Sequence, residues 1–341
     1  MSMPTMTDVD IDPDPSIYTV GWISAISTEL VAAREFLDKE HSRLSNQAPN
    51  DSNIYTLGEM AGHNVVIAVL PDGEYGTSSA ASVATDMLRT FKNIKIGLMV
   101  GVGGGAPSRR DDIRLGDVVV SSPRAGKSGV FQYDYGKTIQ GCDLEHTRSL
   151  APPPPLLRAA VNDLKGRFEA SGHHIAEDIE AIIKNKPRLG RNYSRPEPDS
   201  DRLYKSDYIH SDPFLSCIDC CGNGTHNIVH RRQRDEYEDD PTIHYGLIAS
   251  SNQLMKDALL RYKLVGEHQV LCFEMEAAGL MNHFPCLVIR GVCDYSDTHK
   301  NKRWQGYSAM TAAAYTKEIL RLIPPARVQA EQSLAMSIHS S

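Results

Sequence analysis

The feature that most restricts how this chain can fold is a junction that recurs along it: a short apolar run that ends abruptly on glycines or on an acid. Tyr18 to Ile26 leads to Ser27-Thr-Glu29, and Lys95-Ile-Gly-Leu-Met-Val100 empties into Gly101-Val-Gly-Gly-Gly105. Val270 to Phe273 meets Glu274-Met-Glu276, and Cys286-Leu-Val-Ile-Arg-Gly-Val292 meets Cys293-Asp294. Continuous apolar runs this short predict strands covered on both faces. Further strands are expected at 53–57 and 64–70, split by Gly58 and Gly62, and at 117–121 and 243–250. Helices are expected between them: 27–37, where Leu30, Ala33 and Leu37 recur at helical spacing behind Ser27 or Thr28 as N-cap, then 78–91, 251–262, 276–282 and 307–323. Strands alternating with helices predict an α/β fold, with a mixed or parallel sheet flanked by helices on both sides.

Composition narrows the function. The 341 residues carry a net charge of −7, which argues against nucleic acid as the main partner, since duplex binding needs a basic face. No stretch reaches the ~18 apolar residues needed to span a bilayer, so no membrane partner is expected. The seven cysteines are odd in number and show no disulfide spacing; Cys142, Cys272, Cys286 and Cys293 stand alone, whereas Cys217, Cys220 and Cys221 cluster. A reducing, cytoplasmic setting is the simpler expectation. The start of the chain, with Asp8, Asp10, Asp12 and Asp14, does not read as a secretory signal. Residues 1–16 are expected to be a disordered arm, 17–325 one catalytic domain, and 326–341 a flexible tail. Ala151-Pro-Pro-Pro-Pro155 reads as a stiff connector. From about 165 to 240 the periodicity breaks into a polar, Arg- and Pro-rich stretch, expected to be an insertion on the surface: either a partly ordered segment that could serve as a lid or a disordered loop.

Four junctions carry candidate chemistry, because ligands of α/β sheets bind beyond strand ends. They are Glu29; the glycine run, where Gly101, Val102 and Gly103 let a ligand approach the backbone; Glu274-Met275-Glu276; and Arg290 to Asp294 with Asp297 beyond. Singly each has a plainer explanation: a helix dipole partner, a tight turn, a first helical turn, a salt bridge. Four of them at four strand ends point to one site.

The phrases Val100-Gly-Val-Gly-Gly-Gly105, Arg114-Leu-Gly-Asp-Val-Val-Val-Ser121, Gly246-Leu-Ile-Ala-Ser250, Phe273-Glu-Met-Glu-Ala-Ala278 and Arg290-Gly-Val-Cys-Asp294 resemble, in order, the nucleoside phosphorylase and methylthioadenosine nucleosidase superfamily. The version they are most similar to is found in fungi, often as a module of larger immune-receptor-like proteins. The resemblance runs from about Tyr18 to Leu322. It implies a three-layer sandwich with a twisted, partly barrel-like mixed sheet, and cleavage of a purine N-glycosidic bond with no cofactor and no metal. It implies that Asp294 protonates the base at N7, that Glu276 grips the ribose hydroxyls over Met275, and that Glu29 activates water oriented by Arg290. Ser250, Asn252 and Leu254 would shape the base pocket. A homo-oligomer is expected, since pockets of this superfamily are commonly completed by a neighbouring subunit.

Where hexameric phosphorylases place phosphate-binding residues, this chain has Met99 and Val102, and an early Gly-Asp-Pro-x-Arg loop is missing. Water therefore fits better than phosphate as the nucleophile, with a phosphate-dependent phosphorylase as the runner-up. Arg109, Arg110, Lys137, Lys300, Lys302 and Arg303 are candidate ligands for a 5′-phosphate, with Lys205, Arg231, Arg232 and Arg234 of the insertion behind them. An adenine nucleotide, ATP included, is thus a candidate substrate beside a plain purine nucleoside. Cys217, Cys220, Cys221 and His210, with His226 or His230 to complete a set, form a weak zinc signal, and free thiols are the plainer expectation. A non-catalytic nucleoside-sensing module is the rival from another class; a dehydrogenase is disfavoured because the glycine run lacks the Gly-x-Gly-x-x-Gly spacing.

Overall fold

The computed structural model describes residues 13–124, 126–141, 144–212, 214–221, 225–300 and 302–338. The first twelve residues of the expected arm, Cys142, Asn301 and the last three residues lie outside the described residues. The strands are β1 (Val20–Ser24), β2 (Lys39–Glu40), β3 (Tyr55–Met60), β4 (His63–Val69), β5 (Ile96–Gly105), β6 (Val118–Ser121), β7 (Val130–Gln132), β8 (Gly136–Lys137), β9 (Glu145–His146), β10 (Ile243–Ser250), β11 (Val270–Glu274) and β12 (Cys286–Asp294). The helices are α1 (Ser27–Glu35), α2 (Thr77–Thr90), α3 (Pro155–Ser171), α4 (Ile175–Asn185), α5 (Gly190–Tyr193), α6 (Cys217–Cys220), α7 (Ala258–His268), α8 (Ala277–Leu280), α9 (Gln305–Leu322), α10 (Pro325–Ala330) and α11 (Leu334–Ile338).

One mixed sheet runs β11-β10-β6-β12-β5-β1-β4-β3-β2, with β7 beside β10. Its long strand β5 pairs with β1 and β12 in parallel and reaches β11 antiparallel through Gly104 and Gly105. That last pairing closes β5, β12, β6, β10 and β11 into a five-stranded barrel, as the mixed, partly barrel-like fold class anticipates. The glycine run, expected to be a loop after the strand, is the end of β5 itself. The reason is steric: a Cβ on Gly103 would lie 2.5 Å from the Cys272 sulfur, and one on Gly105 would lie 2.7 Å from Cγ1 of Val292. Side chains there would hold the barrel open.

Helices cover the sheet. α9 is buried along most of its length and packs on β12, β5 and α1, while α2 packs on β1 and α8. Gly291 of β12 lets α9 approach, since its Cβ would fall 1.8 Å from the Ser308 carbonyl oxygen. The N-cap of α1 is Ile26, not Ser27 or Thr28, and the capping acceptor is the Glu29 carboxylate reaching back to the chain before it. Gly58 lies inside β3 rather than between strands; only Gly62 turns, at φ +79. The helix expected at 251–262 begins later, at Ala258, where the Asp257 side chain accepts from the N–H groups of Leu259 and Leu260. Residues 251–257 thereby remain a loop beside the barrel mouth.

The span 165–240 divides in two. Its start belongs to α3 and α4, which bury Leu157, Val161, Leu164, Ile175 and Ile179 and pack on α9. The remainder is short turns tied to the core by Arg234 on Asp117 (2.5 Å) and by Arg231 on the Ile113 carbonyl oxygen (3.2 Å). The expected flexible tail instead forms α10 and α11 over its described part; Val328 and Leu334 are buried, and Leu334 donates its N–H to the Ile94 carbonyl at 2.8 Å. Among the described residues no helix is long and apolar enough to cross a membrane.

Candidate active site

A cavity of about 450 Å3 opens where β1, β5, β11 and β12 end. Its lining includes Glu29, Val102, Gly103, Asn252, Leu254, Glu274, Met275, Glu276, Asp294 and Lys300. Gly101, Ser250 and Arg290 lie behind that lining. A Cβ on Gly101 would meet Oε1 of Glu29 at 2.3 Å and Nη1 of Arg290 at 2.6 Å, so this glycine makes room for two charged groups to come close. Ser250 is buried, and its hydroxyl accepts the N–H of Ala278 at 3.0 Å, anchoring the start of α8.

Glu29 sits in the first turn of α1. Its Oε2 accepts from the N–H of Ala25 (2.6 Å) and Ile26 (3.2 Å), and its Oε1 from that of Val102 (2.8 Å). Burial pushes its pKa up, against the opposing pull of Arg290 and these backbone donors. Glu274 and Glu276 have different tasks although only Met275 separates them. Glu274 accepts the N–H groups of Glu276 (3.1 Å) and Ala277 (3.0 Å) and pairs with Arg290, so its oxygens are taken up by capping and by the guanidinium. Glu276 turns towards Gly76, whose N–H it accepts at 3.3 Å, and meets Arg290 at 3.2 Å.

Arg290 is fully buried. Its Nη2 serves Glu274 and Glu276, and its Nη1 lies 4.0 Å from Glu29. The resemblance implied that it orients water; the geometry instead makes it the counter-ion beneath three carboxylates, outside the cavity lining. Asp294 closes β12. Its Oδ1 accepts the N–H of Ser296 (2.8 Å), and its Oδ2 lies 2.9 Å from Nζ of Lys300. Burial alone would lower the Lys300 pKa, but Asp294 beside it, together with Cys293 and Asp297, reverses this and raises it. Lys300, expected as a phosphate ligand, is therefore the partner of Asp294.

The other expected phosphate ligands are not gathered. Arg109, Arg110, Lys137 and Lys302 lie outside this lining, and Arg303 lines an adjoining cavity that shares Cys293 and Asp294 with it. Arg231, Arg232 and Arg234 are occupied by Asp201, Glu238 and Asp117. Sequence reasoning missed Gly76 and Tyr75, whereas Gly104 and Phe273 belong to phrases it had singled out. Gly76 has φ +97, and its N–H faces Glu276. A Cβ on Gly104 would fall 2.7 Å from Oδ1 of Asp294. A glycine directly before the N-terminus of α2 was the available signal.

Glu276 is raised from 4.5 to about 7 by burial and by Glu274 and Glu29, against Arg290. A carboxyl raised in the folded state holds a proton that the unfolded chain has already lost, so the folded state binds more protons over that interval. Folding stability is accordingly expected to fall as pH rises from 4.5 to about 7. Urea unfolding across this window should show the fall, and Glu276→Gln should flatten it. An identical slope in the Gln variant would assign the proton elsewhere.

The architecture of this barrel and its covering helices is a fold shared with solved nucleosidase and futalosine hydrolase structures. Similar solved structures include the futalosine hydrolase of Helicobacter pylori strain 26695, with a TM-score of 0.56 and 16% identity over 90% of this chain and 99% of that one. The 5′-methylthioadenosine/S-adenosylhomocysteine nucleosidase of Neisseria meningitidis, in complex with methylthio-immucillin-A, gives a TM-score of 0.56 and 17% identity over 89% and 99%. The Helicobacter pylori enzyme of the same name gives 0.55 and 16% over 90% and 100%. In sequence, a nucleotide-binding leucine-rich repeat (NLR)-like protein of Hyaloscypha variabilis is 43% identical over 324 residues, 95% of this chain. The chain spans 31% of the length of that relative. No family model matches the chain.

Proposed function

We propose that this chain is a purine nucleosidase that cleaves the N-glycosidic bond of a purine nucleoside with water. The observation that carries this reading is the charge of the cavity. Four carboxylates, Glu29, Glu274, Glu276 and Asp294, line it, and among its described lining residues the one Lys or Arg, Lys300, is paired with Asp294. Such a wall suits a sugar that becomes cationic as its bond to the base breaks and disfavours inorganic phosphate as a co-substrate. The volume lies within the range of small-ligand pockets.

In this reading the bond from C1′ to the purine nitrogen breaks, and its electron pair leaves with the base. The Asp294–Lys300 pair holds the proton that passes to purine N7 through the Asp294 carboxyl. Glu276 accepts from the ribose hydroxyls, with Met275 packed against the sugar. Water adds to C1′ and gives its proton to Glu29, whose burial favours proton uptake. Arg290 is a positioning residue: it holds Glu274 and Glu276 in place without lining the cavity. The exposed Tyr75 and Leu254 at the mouth give a second copy of the chain an apolar rim to cover.

Product analysis tests the reading. Base release is expected from adenosine with or without phosphate, with free ribose as the other product. Ribose 1-phosphate formed only with phosphate present would replace the reading by phosphorolysis. Release from ATP faster than from adenosine would establish the nucleotide as substrate and require a cation set beyond Lys300. No release from any purine nucleoside or nucleotide would leave a sensing module.

A further inference from the structure

Away from the carboxylates, three cysteines and two histidines from separate parts of the chain converge. Cys217 opens the single turn α6 and Cys221 follows it, so a four-residue spacing places both sulfurs on one side. The side chain that meets them is His299, from the loop after β12. Its Nδ1 lies 3.5 Å from the Cys221 sulfur and 3.8 Å from that of Cys217. Next to Cys221, the Cys220 sulfur is 3.7 Å from that of Cys221 and 2.9 Å from Nδ1 of His210. The ligand atoms of Cys217, Cys221 and His299 lie within 4.8 Å of one another, and so do those of His210, Cys220 and Cys221.

These spacings can be set against what a metal requires. On a tetrahedral zinc, with Zn–S of about 2.3 Å and Zn–N of about 2.0–2.1 Å, two sulfurs stand about 3.8 Å apart and a sulfur and a nitrogen about 3.6 Å apart. The pairs Cys220–Cys221, Cys221–His299 and Cys217–His299 match those edges to a few tenths of an ångström; only Cys220–His210 is short. A second observation concerns the tautomer. Nε2 of His299 lies 3.0 Å from the Tyr208 carbonyl oxygen, which can only accept, so Nε2 carries the hydrogen and Nδ1 presents a bare lone pair to the sulfurs. A backbone carbonyl fixing the far nitrogen is the usual outer partner of a metal-bound histidine. The ring is also held by stacking on Tyr204, centroids 3.9 Å apart.

We propose that Cys217, Cys221 and His299, with a fourth ligand from the Cys220–His210 pair, form a zinc site that fastens the inserted segment to the loop following the acid. Thiolate and imidazole donors select zinc over magnesium or calcium, which prefer oxygen. The site takes no part in bond cleavage. His299 directly precedes Lys300, whose ammonium pairs with Asp294, so an ion there holds the loop 295–300 and the Asp294–Lys300 pair at a set distance. Sequence spacing pointed to His226 or His230 to complete the set; folding supplies His299, which lies 78 residues beyond Cys221.

The test uses the whole chain, kept reduced, stripped with chelator and titrated with Co2+. One equivalent is expected to give the intense visible bands of tetrahedral cobalt and a thiolate charge-transfer band, both removed by Zn2+. Cys221→Ser and His299→Gln should each weaken Zn2+ binding by at least ~10-fold, whereas His226→Gln should leave it unchanged. Zinc should also slow amide exchange in residues 295–300. A weak octahedral cobalt spectrum in the native chain would overturn the site even if the variants fail to fold. Equal Zn2+ affinity in Cys221→Ser would do the same, and unchanged exchange at 295–300 would overturn its positioning role.

Discussion

Asp294→Asn is expected to lower kcat for purine release by roughly 10²–10⁴-fold, the usual worth of a positioned general acid. Asparagine has the same shape and keeps an oxygen for the Ser296 N–H that Asp294 accepts at 2.8 Å. It cannot hand a proton to a leaving base. The loss should fall on kcat with KM little changed, because the bond to the base develops its charge only in the transition state. Thermal unfolding should stay close to that of the native chain, although Lys300 loses the carboxylate at 2.9 Å. Steady-state rates with adenosine check the first point and a melting curve the second. A variant that releases base at more than a tenth of the native rate would remove Asp294 from the role of acid.

Arg290→Met has the largest expected effect on stability. The guanidinium is fully buried and serves Glu274 and Glu276 directly, with Glu29 4.0 Å away. Methionine fills much of the volume but leaves three buried carboxylates facing one another without a counter-ion. Breaking a buried ion pair by removing one partner costs roughly 3–5 kcal/mol. Lysine is not a remedy, since a point charge cannot reproduce the fork that reaches Glu274, Glu276 and Glu29 together. Denaturant unfolding near neutral pH should show the loss, and acidification should shrink it as the glutamates take up protons. A loss below about 1 kcal/mol would mean that the carboxylates are already neutral and that Arg290 is a spectator.

Much of the α/β pattern could be read before folding was known, because its signals are local. The runs at 95–100 and 286–292 are too short and too apolar to be surface helices, and they became the adjacent strands β5 and β12. The strand at 243–250 matches β10 end to end. Errors fell where tertiary contact overrides local preference. The glycines at 101–105 read as a loop, since glycine usually marks turns, but barrel closure needed a strand without side chains there. The helix expected from 251 starts at 258, behind the Asp257 cap. Val328 and Leu334 looked like part of a frayed end because nothing near them in sequence shows what they bury against.

The candidate site divides along the same line. Residue type alone singled out Glu29, Glu276, Arg290 and Asp294, since acids and an arginine at the ends of apolar strands are costly unless they are used or paired. Which of them faces the cavity was settled by folding: Glu29, Glu276 and Asp294 line it, while Arg290 and Gly101 lie behind it. The sorting of the cations was likewise decided in three dimensions, since a lysine's charge is evident from its type but its partner is not. Lys300 met Asp294, and Arg231 and Arg234 met Asp201 and Asp117. Periodicity and residue chemistry are properties of neighbours along the chain, and they determined the elements and the kinds of group available. Distances between groups far apart in sequence exist only once the sheet has closed, and they determined which carboxylates share a cavity and which histidine faces the thiols.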